Sequence, residues 1–309
     1  MEYSPRMRFS IWPSPARPWD ETLELVRHCE KTGWDGVYFA DHFMPNAPDP
    51  TPQDGDTLEC WSVIAGLAAA TERLRLAPLV TSVTYRHPAV LANIAAAVDN
   101  ISHGRLLLGI GAGWQENEHA AYGLDLGSVK QRLDRFEEAT QIVVSLLREQ
   151  RTTFEGKYFR VTDAPNQPRP AQERIPILVG GAGEKRTMRI AAQFADEWNS
   201  WTSPDVLQHK VGVLHKHCSD LGRDPAELQV STQALLFLGT DESWLAEKRS
   251  GDAGRASVIG NPAEVTEIIG QYADAGADEF IVPDFTMGSL NRRKDTCDLF
   301  IEQVAPAFR

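Results

Sequence analysis

Short apolar runs alternate with helix-period segments almost to the end of this chain, and eight strand–helix pairs can be counted between Arg8 and Val304. Strand, helix, parallel strand is the repeating unit of α/β folds, because the crossover helix returns the chain to the same end of the sheet and covers one of its faces. Eight such units close the sheet on itself, and a barrel of this kind commonly fills about 250 residues as one unit. The 309 residues therefore predict one domain over 1–309, a (β/α)8 TIM barrel with small insertions.

The first strand is expected at 8–12. A helix follows from Asp20, as N-cap, to about Thr32, where Gly33 stops it. Trp34 to Phe39 reads as a buried strand that ends abruptly in Ala40-Asp41-His42 and a loop holding Pro45, Pro48, Pro50 and Pro52. Further strands are expected at 74–83, 105–111, 175–179, 197–200, 229–238 and 279–282. Helices are expected at 57–71, from Pro88 to about 103, and through Arg132, Phe136, Ala139, Ile142, Val143, Leu146 and Leu147. Later helices are expected at 184–195, from Ser203-Pro204 onward, and from the capping sequence Asn261-Pro262-Ala263-Glu264 to about 276, with a last one closing near 304. Residues 153–159 look like a hairpin outside the repeat. The stretch 114–127 reads as polar and irregular, and 239–260 has no assignment.

Composition narrows the function classes. A formal charge of −12 argues against nucleic acid or an anionic membrane surface as the main partner, though a few local donors can still bind a small anion. Cys29, Cys60, Cys218 and Cys297 are far apart with no C-x-x-C pair, which fits a reducing compartment and argues against disulfide frameworks and zinc ribbons. The first residues carry Glu2, Arg6 and Arg8 and no apolar leader, and no apolar run approaches the roughly 20 residues that cross a bilayer. A cytoplasmic, soluble protein is expected.

Four segments could carry chemistry. Asp41 and His42 stand at the C-terminal tip of a predicted barrel strand, the end where such barrels keep their active sites. In isolation a structural reading, His42 as a core histidine and Asp41 as a helix or loop cap, weighs as much as a functional one, but a histidine at that tip can exchange a proton near neutral pH, typically worth about 10²–10⁴-fold in rate. The run Leu108-Gly109-Ile110-Gly111-Ala112-Gly113-Trp114 lacks the third glycine of a dinucleotide fingerprint. Gly111 and Gly113 either relieve crowding or let a flat ring approach the backbone, with Trp114 as a wall. Val179-Gly180-Gly181-Ala182-Gly183-Glu184-Lys185-Arg186-Thr187 lacks a P-loop ending but joins a strand to a helix start, a natural anion site. Leu79-Val80-Thr81-Ser82-Val83-Thr84 is, taken alone, only a strand ending in hydroxyls. The eight histidines show no metal-ligand spacing, and no Gly-x-Ser-x-Gly elbow is present.

Together these segments resemble the luciferase-like monooxygenase superfamily, and within it the branch of coenzyme F420-dependent oxidoreductases. The resemblance rests on Asp41-His42-Phe43, Thr81-Ser82-Val83, the Gly109–Trp114 run, Asn117, Gly180-Gly181-x-Gly183-Glu184-Lys185-Arg186-Thr187 and Ala195-Asp196-Glu197-Trp198-Asn199. It extends to Gly260-Asn261-Pro262-Ala263-Glu264-Val265 and Asp274-Ala275-Gly276-Ala277-Asp278, nearly the whole chain. It implies a bacterial luciferase-like barrel with a flavin-type ring at its C-terminal face. By that resemblance Asp41 and His42 contact the cofactor, with His42 beside the hydride-exchanging carbon, and Thr81, Ser82 and Val83 lie near the ring. The Ser82-Val83 bond matches the place of a non-proline cis peptide. Ala112, Gly113 and Asn117 match cofactor-contacting positions, and Gly180, Gly181, Gly183 and Glu184 match a phosphate-tail loop.

Two departures bear on substrate. The family's sugar-phosphate dehydrogenases carry a glutamate after the Gly-x-Gly and a tryptophan four residues past the histidine, where this chain has Trp114 and Asn46. Glucose 6-phosphate is therefore a poor expectation, and Trp114 and Glu116 are candidates for the substrate side. The resulting expectation is an F420-dependent oxidoreductase passing hydride between the deazaflavin C5 and a small organic substrate. The alternatives are an FMN-dependent monooxygenase and a non-catalytic flavin-binding barrel. A homodimer follows from the resemblance alone.

Overall fold

The computed structural model describes residues 7–251 and 254–309; the expected lack of an apolar leader falls partly on residues 1–6, outside that range. The chain forms a parallel barrel ringed by helices. Its strands are β1 (Arg8–Trp12), β2 (Gly36–Phe39), β3 (Arg75–Pro78), β4 (Thr81–Ser82), β5 (Leu108–Gly111), β8 (Ile177–Gly180), β9 (Glu197–Trp201), β10 (Gln229–Gln233) and β13 (Glu279–Pro283). They lie in the order β3-β2-β1-β13-β10-β9-β8-β5-β4. β3 and β4 are halves of one stave, separated at a cis Leu79–Val80 peptide, so nine strands make eight staves. The ring closes through that stave: β3 pairs with β2, β4 pairs with β5, and Leu76 bridges to Leu106.

The insertions are two small sheets. β6 (Thr152–Glu155) and β7 (Arg160–Ala164) form the expected hairpin. The run 229–238, expected as one strand, divides at Ala234: β10 stays in the barrel, while β11 (Leu235–Leu238) pairs in parallel with β12 (Ser257–Gly260). A single ten-residue run can serve two sheets because apolar character does not encode which neighbour a strand will have.

The helices are α1 (Trp19–Thr32), α2 (Cys60–Ala70), α3 (Pro88–Ile101), α4 (Glu116–Tyr122), α5 (Val129–Arg148), α6 (Thr187–Phe194), α7 (Pro204–Asp220), α8 (Glu242–Ser250), α9 (Pro262–Asp274) and α10 (Leu290–Gln303). Gly33 ends α1 in the left-handed conformation at φ 96°, as expected. The N-cap of α1 is Pro18 and not Asp20, which sits in the first turn where its charge faces the positive helix end. α9 carries the expected capping box between Asn261 and Glu264. α2 begins at Cys60, with the Glu59 side chain accepting the Ser62 N–H.

Two differences matter for the site. The stretch 114–127 is not irregular throughout: it contains α4, whose buried residues are Asn117, Glu118 and His119. A helix buried on polar side chains has no apolar period to read. α6 begins at Thr187, three residues later than expected, because the glycine turn continues through 183 and Glu184 bonds sideways to Lys210 of α7.

Apolar side chains fill the space between barrel and helices, and a second cluster fills the barrel interior, including Tyr38, Ala77, Leu107, Leu178 and Ile281. The N-terminal mouth is closed by charge. Arg8 Nε and Arg75 Nη1 each lie 3.0 Å from Glu279 Oε2, and both arginines reach Glu197 Oε2 at 3.4 and 3.3 Å. The opposite, C-terminal mouth is open and carries two adjoining cavities.

Candidate active site

The strand tips of the C-terminal mouth surround two adjoining chambers. The first, about 400 Å³, is lined by the ends of β2, β5, β8 and β9 and by the break between β3 and β4. The second, about 610 Å³, opens toward the proline-rich loop after β2. Trp12, His42, Leu79, Trp114 and Trp201 line both, so they form the partition. Chambers of this size suit an organic ligand.

His42 is held from behind. Its Nδ1 lies 2.8 Å from Oε1 of Glu118, whose Oε2 accepts the Phe43 N–H at 2.7 Å. Tyr85 donates its hydroxyl to Glu118 Oε1 as well. Burial works to raise the Glu118 carboxyl, but the bonds from His42, Tyr85 and Phe43 outweigh it and hold the group below the usual carboxylate range. Burial and the same contact push the Tyr85 phenol far up, so it remains a donor. An ionised carboxylate can only accept, which fixes the proton on His42 Nδ1 and leaves Nε2 for chemistry. Among the described residues Nε2 has no hydrogen-bond partner. The imidazole stands edge-on to Trp114, with centroids 5.5 Å apart.

Asp41 lines the first chamber, yet both of its oxygens are engaged. Arg86 grips them at 2.6 and 3.0 Å, and Thr81 donates to Oδ2 at 2.5 Å. Arg86 also bonds Glu59 Oε1 at 2.5 Å, tying the β2 tip to the start of α2. Trp61 donates to Thr81 at 3.1 Å. Asp41 therefore braces the wall that carries His42.

The floor of the first chamber is Val80. A Cβ on Gly111 would come within 2.7 Å of Val80 Cγ2, and one on Gly180 within 2.8 Å of Cγ1. These glycines make room for the Val80 side chain, and through it for whatever lies above; they do not meet the chamber's content by bare backbone alone. The chamber is polar where Gly181, Ala182 and Thr187 lead into α6, and Asn199, whose carbonyl accepts the Gly181 N–H at 3.0 Å, and Gln233 line it as well.

Of the residues singled out from sequence, Asp41, His42, Ser82, Ala112, Gly113, Trp114, Gly180 and Gly181 converge on the first chamber. The others lie elsewhere. Thr81 is buried behind Asp41, and Val83 is buried in the core with its N–H on the Gly111 carbonyl. The cis peptide is Leu79–Val80, three residues before the expected Ser82–Val83, at the point where the stave breaks. Asn117 is buried and donates to the Pro45 carbonyl at 2.9 Å, fastening the loop after β2. Glu116 is exposed on α4 and lines neither chamber. Glu184 turns outward to Lys210 at 3.1 Å, which holds its carboxyl low, and it shares an outer groove with α7; Gly183 borders neither chamber. Sequence reading missed Glu118, Tyr85, Arg86 and Trp201, and it singled out the Leu79–Thr84 segment without giving Val80 a place in the site. Among the described residues no group of three acidic, histidine or cysteine side chains is placed to hold a metal.

Residues 5–251 match the family described as luciferase-like monooxygenase. The chain belongs to that family. An F420-dependent glucose-6-phosphate dehydrogenase of Intrasporangium calvum is 37% identical over 299 residues, 84% of this chain and 88% of that protein. One from Microbacterium testaceum is 32% identical over 239 residues, 74% of this chain and 67% of that protein. The coenzyme F420-dependent tetrahydromethanopterin reductase of Methanopyrus kandleri has the same fold, with a TM-score of 0.83 at 19% identity over 98% of this chain and 100% of that one. This member of the luciferase-like family has no helix, among its described residues, long and apolar enough to cross a membrane.

Proposed function

We propose that this protein is an F420-dependent oxidoreductase that moves a hydride between the cofactor and a small organic substrate, with His42 handling the proton. The observation that carries the reading is the position of His42, on the partition between a glycine-backed chamber and a second chamber, with one ring nitrogen fixed by Glu118 and the other unpartnered. The names of its relatives, two of them F420-dependent dehydrogenases at 32% and 37% identity, support the choice of cofactor.

The first chamber fits a planar ring with an anionic tail. Its floor is the Val80 side chain, raised into space that a Cβ on Gly111 or Gly180 would close, and its polar end is the start of α6. Val80, Ala112 and Gly113 would hold the ring, and Gly180, Gly181 and Thr187 the tail. When bound, the deazaflavin supplies or accepts hydride at C5, two electrons at a time. The chain does the rest. His42 Nε2 gives a proton to the substrate oxygen in reduction and removes it in oxidation, while Glu118 keeps the imidazole oriented and stabilises its charged form. Trp12, Trp114 and Trp201 keep water from the reacting atoms. A homodimer, a single-domain chain and a cytoplasmic location complete this reading, the first testable by light scattering.

Titration of the protein with F420 and with FMN, followed by fluorescence quenching, tests it. Binding of F420 at micromolar levels is expected. Binding of FMN alone, with oxygen consumption, would turn the assignment to a monooxygenase. Turnover unchanged in His42→Ala would remove His42 from the chemistry, and F420 binding without turnover of any carbonyl or alcohol would leave a non-catalytic barrel.

A further inference from the structure

The second chamber has a chemistry of its own. Its walls are aromatic: Trp12 packs against Phe285 at 5.1 Å and Trp201 at 5.8 Å, and Trp114 closes the side next to His42. One donor group in these walls is unpaired. The Arg255 guanidinium lies 4.8 Å over the Trp201 ring and forms no ion pair with any described carboxylate. Asp56 lines the same chamber and would repel a second negative charge.

We infer that the chamber takes a flat, aromatic or conjugated carbonyl compound, or its alcohol, bearing a single carboxylate. The ring system lies among the tryptophans, the oxygen at the reacting carbon faces His42, and the carboxylate meets Arg255. Arginine suits this task because its planar fork stacks on an indole while binding a carboxylate through two parallel bonds. A sugar phosphate matches less well, since the second negative charge of its phosphate would meet Asp56. This assignment rests on the oxidoreductase reading, for which it names the substrate class.

Calorimetric titration of the F420-loaded protein with 6-acetyl-2-naphthoate, with its methyl ester and with glucose 6-phosphate tests the inference. The acid is expected to bind about twofold to fivefold more tightly than the ester, as a charge-assisted pair at an exposed site allows. Arg255→Ala should erase that preference and Arg255→Lys restore part of it, with F420 affinity unchanged in both. Equal binding of acid and ester, a preference that survives Arg255→Ala, or binding of glucose 6-phosphate alone would overturn it. Failure of F420 itself to bind would instead overturn the underlying reading, and the same titrations on the cofactor-free protein separate the two.

Discussion

His42 Nδ1 sits 2.8 Å from a Glu118 carboxylate that is wholly shielded from solvent, although 76 residues separate the two in sequence. The pair links the tip of β2 to α4, so that the helix serves as the back support of the imidazole. Glu118→Gln keeps the shape and removes the charge. Turnover should fall about tenfold or more, a fraction of the 10²–10⁴ that a positioned general acid supplies, while F420 affinity changes little. Steady-state rates beside a cofactor titration check both.

The same residue makes a pH prediction. Burial opposes ionisation of Glu118, but its three donors hold the folded carboxyl below its ordinary value, about 4.3 when unfolded. The stability this confers is complete above that pH and drains away as pH falls through the folded value. Urea unfolding from pH 7 to pH 3 should therefore show a gap between the wild type and Glu118→Gln that narrows on acidification. A gap that widens would contradict the assignment of an ionised Glu118.

Legibility in the sequence followed local chemistry. The tip of β2 was readable because an apolar run ends in Asp41-His42, and the barrel was readable because each stave announces itself as a run of its own. Glu118 was not, since a helix buried on Asn117, Glu118 and His119 presents no apolar stripe. Asp41 was readable as a wall residue, but its grip by Arg86 depends on a loop closing from 45 residues away. Thr81 and Val83 share a stave with Ser82, and only its break at 79–80 decides which side chains face inward. Arg255 lies in the stretch that had no assignment, where the strand β12 is short and the chain leaves the repeat.

Val80 and Gly111 should behave as one unit. Gly111→Ala places a Cβ within 2.7 Å of Val80 Cγ2, and overpacking of this kind costs about 1–3 kcal/mol. Because Val80 is the chamber floor, its displacement should also weaken F420 binding. Adding Val80→Ala removes the clash, and the double variant should recover part of both losses, with a coupling of about 0.5–3 kcal/mol. Additive losses in thermal unfolding and cofactor titration would mean that the two do not touch.

At the closed mouth, Glu279 is fully buried between Arg8 and Arg75. Burial opposes its ionisation, but the two arginines outweigh it and draw its carboxyl down, while burial pushes neighbouring Glu197 up. Arg75→Met leaves the pair of carboxylates with Arg8 alone. The loss at pH 7 should lie near the lower end of the roughly 3–5 kcal/mol seen when a buried charge loses its partner. Acid should shrink the deficit, because the variant's carboxylates, left with Arg8 alone, gain stability by protonating at a pH where the wild type's Glu279 is still ionised. Denaturation midpoints at pH 7 and pH 4.5 measure it, and turnover by the surviving folded protein should be unaffected, since the active mouth is at the other end of the barrel.

Arg86 separates charge from geometry at the active mouth. Its fork holds both Asp41 oxygens and Glu59 at once, which a lysine ammonium cannot do from a single point. Arg86→Lys should keep Asp41 compensated yet loosen the β2 tip, costing about 1–3 kcal/mol and lowering F420 affinity more than it lowers turnover at saturating cofactor. Arg86→Met leaves a buried Asp41 without its cation and should cost more, about 3–5 kcal/mol. The order of the two variants in thermal unfolding decides between the roles: if Lys and Met are equally destabilised, the fork geometry dominates, and if Lys matches the wild type, charge alone holds the wall that carries His42.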